Sequence, residues 1–429
     1  MTIAPQQPSD HATDEIRDAV LASRAAWEDS IIALSADIHR NPELAFAEHH
    51  AAARVAGTLR AAGFTTTVGA FGLATAVDAT YGEGDITVAI CAEYDALPGI
   101  GHACGHNVIA AAGVGAAIAL ASVADAIGLR VKLLGTPAEE HGGGKILMLE
   151  AGAWDDVDFS LMVHGGPGHD LRCADVRTQA VARFDVSFRG RPGHAGAPSP
   201  DGVNAANAAT IGLVALGLLR QHLPDGTRAN AFVSEGGEAT NIIPSATRVR
   251  VEVRADTLEA VETARRRILA CFEGGAVATG CEWSWEDAAP TYADVVQNPV
   301  LAGAWDRNLA VIGRSPQPYA GAPGGSTDMG NVSHAVPAIH PLIAIEGCAS
   351  APHTPAFTSD AIGPAADRAG IDGALAMALT VVDAVAHLRA RRTLGAEGTT
   401  VGGGAIPRSV TSDTTGRCRA DDRSQGLKT

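Results

Sequence analysis

Residues 86–95, ITVAICAEYD, form a predicted buried strand, and residues 99–107, GIGHACGHN, form the loop that follows it. A predicted helix begins near His106, so the segment has the order strand, loop, helix. This order recurs along the chain and predicts an α/β fold, in which functional loops leave the carboxyl ends of the strands. His102, Cys104 and His106 in this loop are therefore candidate metal ligands, because imidazole and thiolate groups bind metal.

Composition and charge limit the class of protein. The chain has 429 residues, of which 46% are hydrophobic and 19% charged, and its formal net charge is −16. This length predicts two or more domains. The negative charge excludes nucleic acid and an acidic membrane as expected partners. The N-terminal segment lacks the pattern of a signal peptide, and no uninterrupted apolar run reaches membrane-spanning length.

The seven cysteines are widely spaced and include no CxxC pair. A disulfide framework is therefore not expected, and a reducing cytoplasm suits this chain best.

The hydrophobic pattern predicts a discontinuous catalytic domain, residues 14–178 and 289–392, interrupted by a smaller one. In residues 179–288 the predicted elements follow the order βαββαβ, which is typical of a ferredoxin-like unit. Residues 395–429 are rich in Gly, Thr, Ser and Arg, with little apolar content, and we expect them to be disordered.

Metal-capable side chains follow several of the predicted strands. A pair of divalent ions needs several anionic or imidazole ligands and one anionic group that bridges them, and a thiolate can bridge. In a pair of adjacent glutamates, one can bind metal while the other moves protons. Taken singly, each signal has a structural explanation, such as a solvated glutamate pair or a histidine at a strand end. Their joint occurrence favours a site, with these candidates: Asp95, Cys104, His106, Glu139, Glu140, His164 and His353.

Seven motifs occur in one order between about residues 30 and 390: CAEYDALPGIGHACGHN, GTPAEEHGGGK, VHGG, RGRPGHAGAPSPDGVNA, EGGEATNIIPSATRVRVEVR, GGSTDMGNVSH and APHTPAF. Together they resemble metallopeptidase family M20, in the branch related to aminobenzoyl-glutamate hydrolase and IAA-amino acid hydrolases. The resemblance implies a zinc-peptidase-like α/β/α catalytic domain. It also implies that the ferredoxin-like insert is a lid and dimerisation domain, and that the protein is a homodimer or higher homo-oligomer.

The resemblance also implies a role for each site residue. Cys104 would bridge two divalent metal ions, Zn²⁺ or Mn²⁺, and Glu139 would be the general base. Asp95 would support the site from behind the ligands. The remaining ligands would be His106, Glu140, His164 and His353.

In the lid, His194 would reach the partner subunit's site and steady the oxyanion. Asn241 and Arg254 would contact substrate, with Arg254 as a clamp for a carboxylate. For Arg254 the alternative is a solvated strand residue. The loop expected to hold the carboxylate end of the substrate consists of Gly324, Gly325 and Ser326, and Asp328 beside it is expected to be structural.

Four residues depart from the family pattern or keep two interpretations. Glu93 stands where other M20 enzymes have a ligand histidine, so it is not expected to bind metal directly. Asn107 replaces an aspartate of the IAA-amino acid hydrolase branch and favours the aminobenzoyl-glutamate branch. His141 stands where glycine is expected, as a bystander or a substrate contact. For His102, a hydrogen bond within the loop and a direct role are both open.

The predicted activity is metal-dependent hydrolysis of an amide next to a free carboxylate, as in an N-acyl amino acid or an aminobenzoyl-glutamate-like substrate. Water activated by the metals and by Glu139 would attack the carbonyl carbon, and Glu139 would then protonate the leaving amine. The alternatives are a dipeptidase or an aryl-amine amidohydrolase on the same site. A non-catalytic binding protein on an M20 scaffold is less favoured, because the base and all five ligand candidates are present. A structural zinc protein is excluded, because no closed four-ligand set occurs locally.

Overall fold

The computed structural model describes residues 10–397 and places side chains for residues 13–391. Within these residues the strands form three sheets. The strands are β1 Thr65–Val68, β2 Val77–Tyr81, β3 Ile86–Glu93, β4 Leu129–Thr136, β5 Phe159–Leu161, β6 His164–Gly166, β7 Ala180–Arg189, β8 Arg228–Glu235, β9 Ala246–Ala255, β10 Glu282–Tyr292, β11 Ala338–Ile339 and β12 Leu342–Ala344.

The main sheet has the strand order β1-β2-β4-β3-β5-β11. Its last four strands in that order run parallel, whereas β1 and β2 are antiparallel to their neighbours. Every residue of β3 is buried, as expected for a parallel strand covered on both faces. The register pairs Glu93 with Thr136, so the loops after β3 and β4 leave the sheet side by side. These loops carry Asp95 and Glu139, and the predicted convergence of strand ends is confirmed here.

Helices cover the sheets. They are α1 Asp10–Ser23, α2 Glu28–Arg40, α3 His49–Ala61, α4 His106–Ala121, α5 Ala124–Ile127, α6 Gly144–Glu150, α7 Ala205–Leu219, α8 Leu258–Thr279, α9 Pro299–Val311, α10 Met329–Ala335, α11 Pro355–Asp360 and α12 Pro364–Glu397.

Small residues let α4 pack closely between β3 and α12. A Cβ atom on Gly113 would lie 2.9 Å from the carbonyl oxygen of Cys91, and one on Gly115 would lie 2.8 Å from Cβ of Ala374. Larger side chains would push the helix away from the sheet. This close packing fixes the N-terminus of α4, and with it His106, at the edge of the main sheet.

Among the described residues one helical segment, Pro364–Arg391, is long and apolar enough to cross a membrane. In the structure 89% of its most apolar window is buried, because this part of α12 packs against α4 and α9. It is thus a core helix of the α/β domain.

Three predicted elements differ from the structure. The spacing of apolar residues predicts one helix over 14–39, whereas the structure has two, α1 and α2, separated by a turn that carries Trp27 into the core. Residues 159–166, for which the pattern predicts a strand that runs into a loop, form two short strands: β5 in the main sheet and β6, which pairs with β12. The final helix reaches Glu397 and so includes the first residues of the expected disordered segment, 395–429; the rest of that segment lies outside the described residues.

The third sheet has the order β10-β7-β9-β8 and carries α7 and α8, so the elements follow the predicted order βαββαβ. We call these elements the inserted unit. It has an apolar core of its own, in which Phe188 lies against Phe272 with ring centroids 6.3 Å apart. The α/β fold with a ferredoxin-like insert is confirmed, while the exact domain limits stay a prediction.

Candidate active site

Five side chains that can bind metal converge at the carboxyl edge of the main sheet, and we call them the donor cluster: Cys104, His106, Glu140, His164 and His353. The loop after β3 brings Cys104 close to His106, the first residue of α4. Glu140 follows β4, and His164 begins β6. His353 precedes α11 and has a backbone φ of 65°, which is uncommon for a residue other than glycine.

The distances within the donor cluster define two adjacent triplets. The first contains Cys104, His106 and His164, and the sulfur of Cys104 lies 3.4 Å from Nε2 of His164. In the second, Cys104 joins Glu140 and His353, whose Oε1 and Nε2 atoms are 3.4 Å apart. In each triplet the donor atoms lie within 4.8 Å of one another. Cys104 belongs to both triplets, which is the arrangement that a bridging ligand requires.

Asp95 lies behind the donor cluster and connects two of its members. Its Oδ1 accepts a hydrogen bond from Nδ1 of His106 over 2.9 Å, and its Oδ2 accepts one from the backbone N–H of Glu140 over 3.0 Å. Burial acts to raise the pKa of Asp95, but the charge of His106 and its hydrogen bond lower the pKa below its usual range. The carboxylate thus fixes the ring of His106 through Nδ1, and once Nε2 has lost its proton that atom is available to bind a cation.

Glu139 lies beside the donor cluster in a buried position, with Oε2 at 4.0 Å from Nε2 of His106. Its backbone carbonyl accepts a hydrogen bond from the Tyr292 hydroxyl over 2.6 Å, which ties this loop to strand β10 of the inserted unit. Burial raises the pKa of Glu139 well above the usual range, and the charges of Glu93 and Glu140 add to this effect. A carboxylate with a raised pKa is a stronger base, as a proton-transfer role requires.

Whether the donor cluster fits metal ions can be tested on its own atoms. Nε2 of His106 and Oε1 of Glu140 are buried without a hydrogen-bond partner among the described residues. Burial also raises the pKa of the Cys104 thiol, so that a thiolate there needs a neighbouring cation. Unpaired buried acceptors are costly unless something satisfies them. Thiolate, imidazole and carboxylate donors around shared space fit a pair of transition-metal ions.

A second buried group, the lysine cluster, consists of Lys145, Glu93 and Asp328. The ammonium of Lys145 donates hydrogen bonds to Oε1 of Glu93 and, over 2.7 Å, to Oδ1 of Asp328. Its backbone N–H donates to Oδ2 of the same aspartate over 2.9 Å. Glu93, Asp328 and Glu139 could also hold a cation by distance alone, but the lysine already supplies one. That Glu93 does not bind metal directly stays a prediction, and its ion pair with Lys145 favours it.

A cavity of about 670 Å³ opens over the donor cluster. Glu139 lines it, as do Arg254 from strand β9 and the predicted substrate loop, Gly324, Gly325 and Ser326. Arg254 donates to the Ser326 hydroxyl over 3.2 Å, so the inserted unit and this loop meet at the cavity wall. Arg254 is half-buried in this wall, and its role as a carboxylate clamp rather than a solvated strand residue stays a prediction.

Two predicted site residues lie away from this cavity. His194 and Asn241 are exposed neighbours in the inserted unit, where the backbone N–H of Ala195 donates to the carbonyl of Asn241 over 3.0 Å. Neither lines the cavity of its own chain. The expected role of His194 in a partner's site stays a prediction.

The structure also shows the positions of His141 and His102, which kept two interpretations, and of Asn107, which departs from the family pattern. His141 is exposed and lines the cavity. His102 is buried against the ring of His39, and burial lowers its pKa to about 3, so it is a neutral group of the loop interior. The side chain of Asn107 donates to the Ser35 hydroxyl and to the carbonyl of Ala361, which joins α4 to its neighbours.

Sequence reasoning missed several residues that shape the site. Glu48 is fully buried, and its carboxylate accepts hydrogen bonds from Thr75 and from the backbone N–H of Ala138, directly before Glu139. Lys145 stands out in the sequence only as the start of a helix. One signal could have singled it out, because the chain has only three lysines and this one follows the glutamate pair at the end of a buried strand.

Buried donors next to a carboxylate base, at the edge of an α/β sheet, are the arrangement of metallohydrolases. The comparison with family models agrees: residues 89–368 match the model of peptidase family M20/M25/M40. The chain belongs to this family, as the seven motifs predicted, and it is a hydrolase.

Relatives and solved structures extend this result. The chain is 35% identical to the Xaa-Arg dipeptidase of Mus musculus over 403 residues, 89% of this chain and 93% of the mouse protein. It is 30% identical to one of the p-aminobenzoyl-glutamate hydrolase chains of Escherichia coli, over 70% of this chain and 65% of that one. Its fold resembles that of a dinuclear metal-binding M20 peptidase from Bacillus subtilis, with a TM-score of 0.63 and 22% identity, covering 83% of this chain and 99% of that one.

Proposed function

We propose that this protein hydrolyses the amide bond of a small substrate that carries a free carboxylate next to the scissile bond, with two divalent metal ions. The observation that carries the proposal is the placement of Glu139 beside a donor cluster in which Cys104 belongs to both triplets. The products would be a carboxylic acid and an amino acid or an aryl amine.

The donor cluster would hold the two ions, with Cys104 between them. When bound, such ions supply Lewis-acid activation of water and of the carbonyl group. Glu139 takes a proton from the attacking water and returns it to the leaving amine, for which its raised pKa suits it. Asp95 keeps His106 in the orientation that presents Nε2.

Arginine side chains at the cavity favour an anionic substrate. Arg177, Arg183 and Arg254 all line the cavity, and Glu252 pairs with the last two. Arg254 is held toward the cavity by Ser326, where its guanidinium could form two hydrogen bonds with a carboxylate. Gly324 and Gly325, which carry no side chain, would let the substrate approach the loop backbone.

A dipeptide is a second candidate substrate, favoured by the 35% identity to the mouse Xaa-Arg dipeptidase. A dipeptide presents the same amide and the same terminal carboxylate as an N-acyl amino acid. The difference is a free amino group on the acyl side, which the experiment below examines. An N-acyl amino acid and aminobenzoyl-glutamate stay in the proposal through the resemblance to the Escherichia coli hydrolase.

We also propose a homodimer or higher homo-oligomer formed through the inserted unit. Helix α7 exposes Ile211, Val214 and Leu218, and the edge strand β8 exposes Phe232 and Val233. Apolar side chains on an unpaired edge strand and its neighbouring helix suit an interface between copies. In such an assembly His194 and Asn241 could reach a partner's cavity, and light scattering of the purified chain would measure the assembly size.

We propose the cytoplasm as the compartment and Zn²⁺ or Mn²⁺ as the metal. The six cysteines among the described residues are all free, as expected in a reducing compartment. Thiolate and imidazole donors favour zinc by affinity, while metal supply in the cell can favour manganese.

The testing experiment measures amine release from N-acyl amino acids, aminobenzoyl-glutamate and dipeptides. Metal-stripped protein is compared with protein to which Zn²⁺ or Mn²⁺ has been restored. Metal-dependent release from any of these substrates supports the hydrolase, and the ratio of kcat/KM between matched dipeptides and N-acyl amino acids separates the two candidate classes. Absence of release from every substrate, with metal bound, would refute the proposed substrate class.

A further inference from the structure

His340 is a buried histidine at the cavity that no sequence motif singled out. It follows strand β11, is 5% exposed and lines the cavity over the donor cluster. Neither Nδ1 nor Nε2 has a hydrogen-bond partner among the described residues. Buried polar groups in folded proteins are nearly always paired. His102 also has two unpaired nitrogens, but only His340 of the two lines the cavity, where a ligand can supply the partner.

The backbone of His340 is fixed from both sides by one side chain. Its N–H donates to Oε1 of Gln297 over 2.9 Å, and its carbonyl accepts from Nε2 of the same glutamine over 3.1 Å. Gln297 also contacts Cys173, whose sulfur donates to it over 3.5 Å. This glutamine thus fixes the backbone from which the ring of His340 projects, which contributes to the preorganisation of a binding group.

His340 lies next to the donor cluster but does not belong to it. Its ring centroid lies 5.8 Å from that of His164. It belongs to none of the groups of metal-capable atoms found within 4.8 Å of one another in the described part of the chain. His340 thus stands beside the donor cluster on the wall of the cavity, next to the space that a bound amide would occupy.

The chemistry of the ring fits a donor role. A neutral imidazole carries one N–H, and no hydrogen bond within the described residues engages either nitrogen of His340. A carbonyl oxygen, and still more the oxyanion that it becomes, accepts such a hydrogen bond.

We propose that His340 donates a hydrogen bond to the carbonyl oxygen of the scissile amide as that oxygen gains negative charge. This inference rests on the proposed amide hydrolysis. It adds a donor from the same chain to the one that the resemblance assigns to His194 of a partner subunit.

The test compares His340→Gln, which keeps an N–H donor, with His340→Met, which has a similar volume and no donor. Removal of one oxyanion donor lowers kcat by about 10²–10³-fold, so His340→Met should fall by that factor with KM nearly unchanged. His340→Gln should recover at least about tenfold of the loss, since one hydrogen bond is worth about that much. His334→Met is the control, because His334 bonds to the carbonyl of Asp294 away from the cavity.

A binding measurement separates this inference from the proposed function. A phosphinate analogue of the amide mimics the tetrahedral intermediate, and His340→Met should weaken its binding by the same factor while binding of the product amino acid is unchanged. A His340→Met variant with wild-type kcat and phosphinate affinity would overturn the inference while leaving the hydrolase intact. A rise in KM alone would also overturn it, because it indicates ground-state binding. Inactivity of the wild type on every substrate would instead refute the proposed function.

Discussion

Two buried acidic groups lie side by side where strands β3 and β4 end, and they differ in what balances their charge. In the lysine cluster, Glu93 and Asp328 are paired with the ammonium of Lys145. In the donor cluster, Nε2 of His106 and Oε1 of Glu140 make no hydrogen bond among the described residues, and the nearest groups to Glu140 that can carry positive charge are imidazoles, with His353 at 3.4 Å. Burial is common to both groups, so burial alone does not distinguish a ligand site. The distinguishing feature is whether the chain supplies a permanent cation, as Lys145 does, or only imidazoles, which can also bind metal.

The comparison predicts that substitution of two adjacent glutamates has opposite effects on the metal content of the protein. Glu139→Gln should lower kcat by about 10²–10⁴-fold, because it removes the base, while the protein keeps its metal. Glu140→Gln should lose both activity and metal, because it removes a ligand. Metal analysis of the two purified variants, beside their kcat values, checks the pair.

These two substitutions are matched in chemistry and differ by one position, so each serves as the control for the other. Loss of metal from both variants would place Glu139 within the donor cluster. Near-normal turnover of Glu139→Gln would remove it from the mechanism altogether.

For the lysine cluster the comparison predicts an effect on folding. Lys145→Met leaves two buried carboxylates without a counter-charge, and loss of one partner in such a group costs about 3–5 kcal/mol. Urea unfolding measures this change in the free energy of unfolding. If stability returns in the triple variant, which combines Lys145→Met with Glu93→Gln and Asp328→Asn, unbalanced charge is the cause of the loss.

Lys132→Met is the matched control for Lys145→Met. Lys132 is also buried, but its partner Asp156 has a side chain that is 41% exposed, so water can solvate the carboxylate that remains. The loss of stability should therefore be clearly smaller. Equal losses in the two lysine variants would contradict the distinction between a buried and a solvated carboxylate.

Asp95 is buried like the carboxylates of the lysine cluster, but it forms its hydrogen bond with a histidine of the donor cluster and not with a lysine. Asp95→Asn should weaken metal binding by about 10–100-fold, the usual effect of losing the carboxylate behind a ligand histidine. Competition with a metal-binding dye measures the affinity. Asp78→Asn is a control in a half-buried aspartate of β2, and the same loss there would remove the special role of Asp95.

The fold and the donor cluster could be predicted because both follow from local order in the sequence. Buried strands end in the loops that carry Asp95 and Glu139, and parallel strands place their carboxyl ends at one edge. The register between β3 and β4 was not needed for this inference. What the sequence could not supply was strand β6, because it consists of a histidine and two glycines, and glycine is depleted in strands.

The lysine cluster and His340 escaped prediction for a different reason. Glu93, Lys145 and Asp328 are far apart in sequence, and nothing in their spacing indicates that the three side chains meet. Each alone is an ordinary charged residue, and only the fold brings them within hydrogen-bond distance. A buried ion pair is a property of tertiary packing, so a single sequence carries little signal of it.

The smallest expected effect is electrostatic: the charge of Glu93, in the lysine cluster, changes the pKa of Glu139, beside the donor cluster. Glu139 acts as a carboxylate, so kcat/KM should fall as the pH drops through its pKa. Burial is the largest cause of the raised pKa of Glu139, and the charge of Glu93 adds to it. Glu93→Gln should therefore move the acid limb of the pH profile of kcat/KM to lower pH. One pH unit corresponds to about 1.4 kcal/mol, and we expect a shift of less than that. Glu282→Gln, on the exposed end of β10, should leave the limb in place. If the acid limb stays in place in Glu93→Gln, Lys145 screens the charge of Glu93 completely. The lysine cluster would then have no electrostatic effect on Glu139, and the two clusters would be independent in charge as well as in structure.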